Sequence, residues 1–592
     1  MSAILHEFKK QTRQFGRRWW LYLTLFISVD LVIQLLVIPI FRFVTTFILQ
    51  AGEIPFVSYQ NVLTIIQDHP LVVAALIIEL FVLLLVVYWQ FAMILLGVRA
   101  IYQGTASVRG LLIENGRVLR QLRLASLFVL LGYFVLVIPF ADFVFRTPLL
   151  SKIQIPAFIL DFMTRNGILL TILIAFYVVM IILGVRFLLA LPLMVYREQR
   201  PRLALLNSWR LTKHGRWWPL VARILTAGVI ASVITGLFYT FMVGLQFLFD
   251  LLPGKLALTA AVLNLSIIQV GSEALMVWTG VVTIMFLMTP LKMMVRSQPL
   301  RITRGIKRIL VVAVSLMVVV VLINNTFYLN SNHQRPLIIA HRGVADENGV
   351  QNTIPAMERT HRLHPDYVEM DVHETRDHRF VVMHDENLKE LTGVNKAPDQ
   401  LTLKQLTHLT ARENGHQAKI ASLDDYLRAA AHCHQHLLIE IKTTPHDSRG
   451  MLRNFNHRYG KIILAHHDKI HSLDYHVVTT LKRLNPRLDV FYIQPYDFTY
   501  PNTVADGYSM EYSTLTHDFI NLAHLQHKQV YAWTVDNQDV MQQEMYNHVD
   551  GIVTDNLREL NMAVKAYEGH QSAAQQIINY IMVIPTSQEF TP

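Results

Sequence analysis

The sequence predicts two domains of unlike class: an all-α polytopic membrane domain followed by an α/β TIM-type (β/α)8 barrel. Three observations carry this expectation. Up to about residue 329 the chain consists of long apolar runs with few charges. From Pro336 onward, short apolar strands alternate with helix-like stretches over about 230 residues, the pattern of a closed α/β barrel. Three of those strands also carry ionisable side chains on one face only, which describes an active-site wall rather than an ordinary core.

Composition supports the division. The chain has 592 residues, 52% hydrophobic and 16% charged, too apolar on average for a soluble protein and too long for one domain. The formal charge of +10 does not point to nucleic acid, because much of the Lys and Arg lies between apolar runs and no basic pattern interleaved with aromatics accompanies it. A single cysteine, Cys433, excludes an internal disulfide and a cysteine-based zinc site. The first long apolar run follows Lys9, Lys10, Arg13, Arg17 and Arg18 and lacks a small-residue cleavage pattern, so it reads as a membrane span rather than a cleavable signal.

About seven stretches are long enough to cross the hydrocarbon layer: 19–41, 71–97, 124–142, 167–195, 219–249, 265–290 and 309–329. The loops between them alternate in charge. On the N-terminal side lie Arg99, Arg109, Arg117, Arg120 and Arg123, then Arg197 to Arg216, then Lys292 to Arg308; the opposite side has little, none between 51 and 70, then Arg146, Lys152 and Arg165, then Lys255. The positive-inside rule then places the N-terminus in the cytoplasm and, with an odd number of spans, the second domain outside the cell membrane. Asp30, Glu79, Arg186, Arg223 and Glu273 fall inside spans, where they form either a polar cavity or lipid-headgroup site between helices or, as favoured here, two arginines that snorkel to the cytoplasmic interface with the acids satisfying them.

The domain boundaries expected are 1–329 for the membrane domain, 330–336 for a linker, 337–562 for the barrel and 563–592 for a C-terminal tail. Candidate strands are 337–341, 367–372, 380–384, 436–441, 469–473, 490–494, 507–511, 530–535 and 550–554. The link from 372 to 380 is too short for a crossover helix, so the strand leading to His384 should form a hairpin with its predecessor. A tether of about eight residues entering the first strand reaches the N-terminal rim, whereas barrel active sites occupy the C-terminal rim. An upright barrel would then open away from its bilayer, favouring a polymer or soluble substrate. The apolar residues Ile577, Ile578, Tyr580, Ile581, Val583 and Ile584 leave two alternatives, a tail lying on the membrane or one packed on the barrel or disordered.

The candidate site follows from the strand faces. Leu337 to Ala340 is an apolar run that ends in His341, Arg342 and Gly343. Glu369 and Asp371 leave one face of their strand, and Glu440 and Lys442 do the same on theirs. Buried acids are rare unless paired or metal-bound. Glu369, Asp371 and Glu440 supply hard oxygen ligands suited to a divalent cation, Mg²⁺ or Ca²⁺. Arg342 and Lys442 suit phosphate oxygens, and His341 and His384 are proton carriers near neutral pH, one as base and one as acid. His373, His432, His434, His436, His466 and His467 fall in loops or helices and are discounted.

These residues resemble the glycerophosphodiester phosphodiesterase family, and the first domain is similar to the membrane domain fused to such enzymes in some Gram-positive bacteria. The resemblance rests on His341-Arg342-Gly343, Asn352-Thr353, Glu369-Met370-Asp371, Val381 to Asp385, Leu391-Thr392-Gly393, Glu440-Ile441-Lys442, Ser472-Leu473-Asp474, Trp533-Thr534-Val535 and Asp550 to Asp555. In the membrane half the match, Ala190 to Ser208, is weaker. The resemblance implies metal-dependent hydrolysis of a glycerophosphodiester to glycerol phosphate and an alcohol, with His341 and His384 as the acid–base pair and Trp533 lining the substrate pocket. Gln351 departs from it, since the family usually has glutamate there. Polyglycerol-phosphate (teichoic acid) or deacylated lipids are the substrates expected, with lysolipids in the membrane, or a non-catalytic phosphodiester receptor, as alternatives. Membrane lipids are the partners expected, and no nucleic acid.

Overall fold

The computed structural model describes residues 2–52, 54, 62–144, 149, 155–164, 166–291, 304–330, 334–496, 502–569 and 571–583. All seven expected spans are helical. Among the described residues five helices are long and apolar enough to cross a membrane: Trp19–Ala51, Pro70–Gln103, Gly167–Tyr196, Trp218–Phe249 and Gly254–Met288. Helices Leu124–Val144 and Arg304–Asn330 fill the other two positions. The span expected from 265 starts eleven residues earlier, because Asn264 turns inward and donates to the Met242 carbonyl and the Gln246 amide oxygen of the preceding helix. Arg146, Lys152, Arg165, Lys292, Arg296, Arg301 and Ile584 lie outside the described residues.

Ala190–Tyr196, the last turns of the long helix Gly167–Tyr196, and Pro201–Leu211 fold into a helical hairpin whose first member is wholly buried. Tyr196 OH donates to the Leu95 carbonyl at 3.0 Å, and Ser208 Oγ to that of Arg186 at 2.8 Å. Arg186 itself donates to the Trp209 carbonyl and stacks over the Trp209 ring at 4.3 Å. Arg223 pairs at 3.0 Å with Glu7 of the N-terminal helix. Asp30 and Glu79 do not answer the arginines: Asp30 accepts from Gln34, and Glu79 from Thr45. The expectation that they would is corrected, since each arginine finds a partner on a segment flanking the spans.

The second domain has eleven strands in chain order: β1 (Leu337–Ala340), β2 (Tyr367–Glu374), β3 (Phe380–Val382), β4 (Thr410–Glu413), β5 (His416–Lys419), β6 (His436–Ile441), β7 (Lys469–Ser472), β8 (Val490–Gln494), β9 (Gly507–Glu511), β10 (Gln529–Trp533) and β11 (Gly551–Thr554). Eight pair in parallel in the order β1-β11-β10-β9-β8-β7-β6-β2, and β1 pairs back to β2, closing the barrel. β3 pairs antiparallel with β2, Val372 opposite Val382, which is the short hairpin expected. The β4–β5 hairpin was not expected; its turn is Asn414-Gly415, both at positive φ, as a tight hairpin requires.

Period-two alternation decides what fills the barrel. At its base the Lys469 ammonium donates to Gln529 Oε1 at 2.7 Å and Tyr531 OH at 2.6 Å. Above it, the Phe491 and Tyr531 rings stack at 4.6 Å. Gly551 leaves them room, because a Cβ there would lie 2.7 Å from the Tyr531 ring. The same parity then delivers Glu369, Asp371, Glu440 and His471 to the upper interior.

The barrel does not open away from the membrane domain, because its C-terminal rim and its opposite end both contact that domain. At the C-terminal rim the Ala157 amide donates to Ser513 Oγ at 3.2 Å, Phe158 meets Trp533 at 5.9 Å, and Arg42 lies 3.8 Å from Asp518. At the other end the tail forms helix Ala573–Val583. Its Ala574 amide donates to Asp250, and its Tyr580 hydroxyl accepts from Gln269 at 2.9 Å. Ile577 is fully buried among Met242, Ala261, Leu265 and Leu329, a burial that contributes about 1.5–3 kcal/mol. The tail also meets the barrel, through Asn579 on Tyr546. The tail therefore cements the two domains, and the upright, outward-opening barrel is corrected. The last barrel helix, Leu557–Glu568, runs past 562.

Candidate active site

The turn after β1 is shaped by its own residues. Arg342 and Gly343 both have positive φ, and a Cβ at Gly343 would lie 2.7 Å from Tyr426 OH, so only glycine fits. This turn aims the Arg342 amide at Glu369 Oε2, 2.7 Å away. Asn352 then locks the following loop onto β2: its amide donates to Asp371 Oδ2 at 2.8 Å, and its oxygen accepts the Asp371 N–H at 3.0 Å.

The sequence-predicted residues converge on one end of the barrel, the acids at the floor and the cations nearer the mouth. Glu369 and Asp371 are buried, whereas Lys442 and Arg342 retain some exposure. The Lys442 ammonium lies 2.8 Å from Glu440 and 3.2 Å from Asp371; Arg342 Nε is 3.9 Å from Asp371. Burial alone would push the Asp371 carboxyl up, but Lys442, His384, Arg342 and the Asn352 amide hold it well below the usual carboxylate range. Burial would likewise lower Lys442, and Glu440 and Asp371 raise it instead.

His341 Nδ1 lies 3.0 Å from Asp555 Oδ1, and His384 Nδ1 lies 2.9 Å from Asp385 Oδ1. A carboxylate only accepts, so each Nδ1 carries a proton and each Nε2 is left for substrate. Burial pulls the His341 imidazole down, but Asp555 outweighs it and the net shift is upward. Among the discounted histidines, His373 is buried at the edge of the site with Nε2 3.1 Å from the His384 carbonyl, so it supports the His384 backbone. His436 bonds the His466 carbonyl away from the site.

Three groups escaped the sequence reading. His471 stands opposite Glu440 in the β6–β7 register, and donor atoms of Glu369, Glu440 and His471 lie within 4.8 Å of one another. The signal was an inward-facing histidine in a strand next to that of Glu440. Asp385 and Asp555 stand at the ends of two of the motifs, but without a role there; only the fold pairs them with the histidines. The Gln351 departure is accommodated: its Oε1 accepts from Arg342 at 2.9 Å, while its N–H and amide donate to Glu413 on β4 at 2.7 and 2.6 Å. The missing carboxylate is thus supplied one residue removed.

The donor set fits a divalent cation. Both ring nitrogens of His471 are buried without a hydrogen-bond partner, which leaves them suited to a ligand. Glu369, Glu440 and His471 are the most convergent donors, with Asp371 held beside them by Asn352 and Lys442.

A floor of hard donors, two cations above it and two braced imidazoles make this rim the equipment of a phosphodiester hydrolase. Comparison with known proteins agrees. The membrane domain of glycerophosphoryl diester phosphodiesterase matches residues 8–326, and the glycerophosphoryl diester phosphodiesterase family matches residues 341–559. The chain belongs to this family, as a membrane-spanning phosphodiesterase. The glycerophosphodiester phosphodiesterase of Caldanaerobacter subterraneus is 25% identical over 230 residues, 37% of this chain and 94% of that one. Human lysophospholipase D GDPD1 is 49% identical over 57 residues, 10% of this chain and 18% of its own. The crystal structure of a glycerophosphodiester phosphodiesterase from Parabacteroides distasonis, 24% identical, covers 40% of this chain and all of its own with a TM-score of 0.36.

Proposed function

We propose that the chain hydrolyses glycerophosphodiesters to glycerol phosphate and an alcohol with the help of a divalent cation, Mg²⁺ or Ca²⁺, from a barrel (337–562) outside the cell membrane. The convergence of Glu369, Glu440 and His471 beneath Arg342 and Lys442 carries this reading. Glu369, Asp371, Glu440 and His471 would hold the cation, which when bound would neutralise phosphate charge and polarise the phosphoryl group. Arg342 grips the phosphate by its fork and Lys442 as a point charge. His341 and His384 divide the proton transfers: one Nε2 takes the proton of the attacking hydroxyl, and the other delivers a proton to the departing alcohol. Trp533 lines the pocket for the rest of the substrate.

The external location rests on the loop charges together with the contacts of the barrel and tail with Arg42, Ala157 and Asp250, which lie at or near the weakly charged loops. The test is turnover of glycerophosphocholine by the purified full chain, before and after chelation and with Mg²⁺ or Ca²⁺ restored. Loss on chelation and recovery with one cation is expected. Binding without turnover under every cation would instead make the protein a phosphodiester receptor.

A further inference from the structure

The pocket residue Trp533 does not face open solvent alone. It ends β10 on the same interior face as Tyr531, and the chain beyond it reaches Asp536, whose carboxylate accepts the Asp555 amide at 2.7 Å. Asp555 holds His341, so Trp533 belongs to the mouth of the catalytic rim. Against its ring stands Phe158, which comes from the membrane domain. The contact is anchored: the Ala157 amide donates to Ser513 Oγ, and Ser513 Oγ donates to Glu511 Oε2 at 2.7 Å.

We propose that membrane-domain helix Ala157–Thr164 forms part of the substrate site and that it serves a single-chain lipid, an acylglycerophospho-alcohol, whose acyl chain lies along Phe158 and Phe162. This rests on the hydrolase reading above and names its substrate class. Phe158 and Phe162 are four residues apart and share one helix face, and Phe162 is 67% exposed. Two residues on in the chain begins the apolar spanning helix Gly167–Tyr196, capped by Asn166, so the helix that carries Phe158 and Phe162 lies next in sequence to a membrane span. At that mouth two buried polar atoms, Trp533 Nε1 and Glu511 Oε1, have no hydrogen-bond partner. An unpaired buried donor and acceptor are costly to leave empty. Here they suit the polar glycerol end of such a lipid, the indole N–H an ester or phosphate oxygen and the carboxylate a hydroxyl. A polyglycerol phosphate would gain nothing from Phe162 and would meet the exposed carboxylate of Asp161 on the same helix.

In the reaction, water is the attacking hydroxyl: it gives a proton to one imidazole and adds its oxygen to phosphorus as the bond from phosphorus to the alcohol oxygen breaks. The alcohol leaves with the proton supplied by an imidazole, and the acylglycerol keeps the phosphate.

The experiment uses the full chain in nanodiscs with three substrates: lysophosphatidylcholine, glycerophosphocholine and polyglycerol phosphate. Wild type is expected to prefer lysophosphatidylcholine. Phe158→Ala should reduce that preference at least about 10-fold through KM, with Phe158→Leu retaining most of it. Phe162→Ala, at an exposed position, tests the same face without disturbing the domain contact. A lysolipid with a diazirine at its chain end should label residues 155–164. Label confined to other segments, or variants that scale all three substrates equally, would overturn the proposal. Turnover of none of the three under any divalent cation would instead remove the hydrolase reading beneath it.

Discussion

Asp371 and Glu369 stand two residues apart on one strand face, yet their surroundings give them different work. Glu369 faces Glu440 and the unpartnered ring of His471, whereas Asp371 is tied to Asn352 and Lys442. Glu369→Gln and Glu440→Gln should therefore abolish cation-dependent turnover while leaving the barrel folded, read by circular dichroism beside activity. Asp371→Asn should do the same, because it removes both a charged oxygen and the partner of Lys442. His471→Ala should raise the cation requirement by at least about 10–100-fold, the cost of losing even a partner behind a ligand; an unchanged cation titration would exclude His471 from the site. His341→Ala and His384→Ala should each lower turnover by at least about 10²-fold. The Asp555 carboxylate raises His341 above its ordinary value of 6.5, so Asp555→Asn should move to lower pH the limb of the pH–kcat/KM profile that His341 sets, the acidic limb for a base and the basic limb for an acid, which also tells the two roles apart. The corresponding stability has the matching sign. It is present in full below the ordinary value, disappears as pH rises through the raised one, and is absent from the variant at every pH.

At the scale of elements, the β4–β5 hairpin does what a residue of the β1–α loop would otherwise do. Glu413 takes both hydrogens offered by Gln351, whose oxygen is thereby turned to Arg342. Removing the carboxylate frees the amide to rotate and releases the guanidinium from its fork position. Glu413→Ala should cost about 10-fold in kcat/KM, mostly through KM, and Glu413→Gln should cost less because one of the two bonds survives. Equal rates in all three proteins would make the hairpin a bystander. The barrel strands, the β2–β3 hairpin and the two cations were legible in the sequence because strand parity and apolar runs are local signals. The pairing of His341 with Asp555, 214 residues away, and of Gln351 with Glu413 is set by closure of the barrel, which no local pattern carries. Asn414-Gly415 was a local signal for the hairpin, obscured because β4 and β5 are short and polar. The placement of the barrel does not follow from the tether, which constrains one rim; Phe158 at the C-terminal rim and the tail helix at the opposite end constrain it through contacts distant in sequence.

The whole molecule places its contacts between domains on one side of the helical bundle. Arg42, Ala157, Asp250 and Leu329 lie toward the same ends of their helices or the loops joining them, and the barrel or tail touches each region. The basic loops beginning at Arg99, Arg197 and Lys292 belong to the opposite side by chain order. A bilayer with an anionic inner face then favours the barrel outside, since reversing the protein would carry those basic loops across the membrane. The chain provides its own reporter for this. Cys433 is its single cysteine, a free thiol of intermediate exposure at the end of barrel helix Leu423–His432. A membrane-impermeant maleimide added to intact, wall-stripped cells should label Cys433 to the extent seen in lysed membranes, and Cys433→Ser should abolish the signal in both. Labelling that appears only after lysis would put the barrel, and the rim beside Phe158, on the cytoplasmic face, where the lipid supplied to the site would come from the inner leaflet.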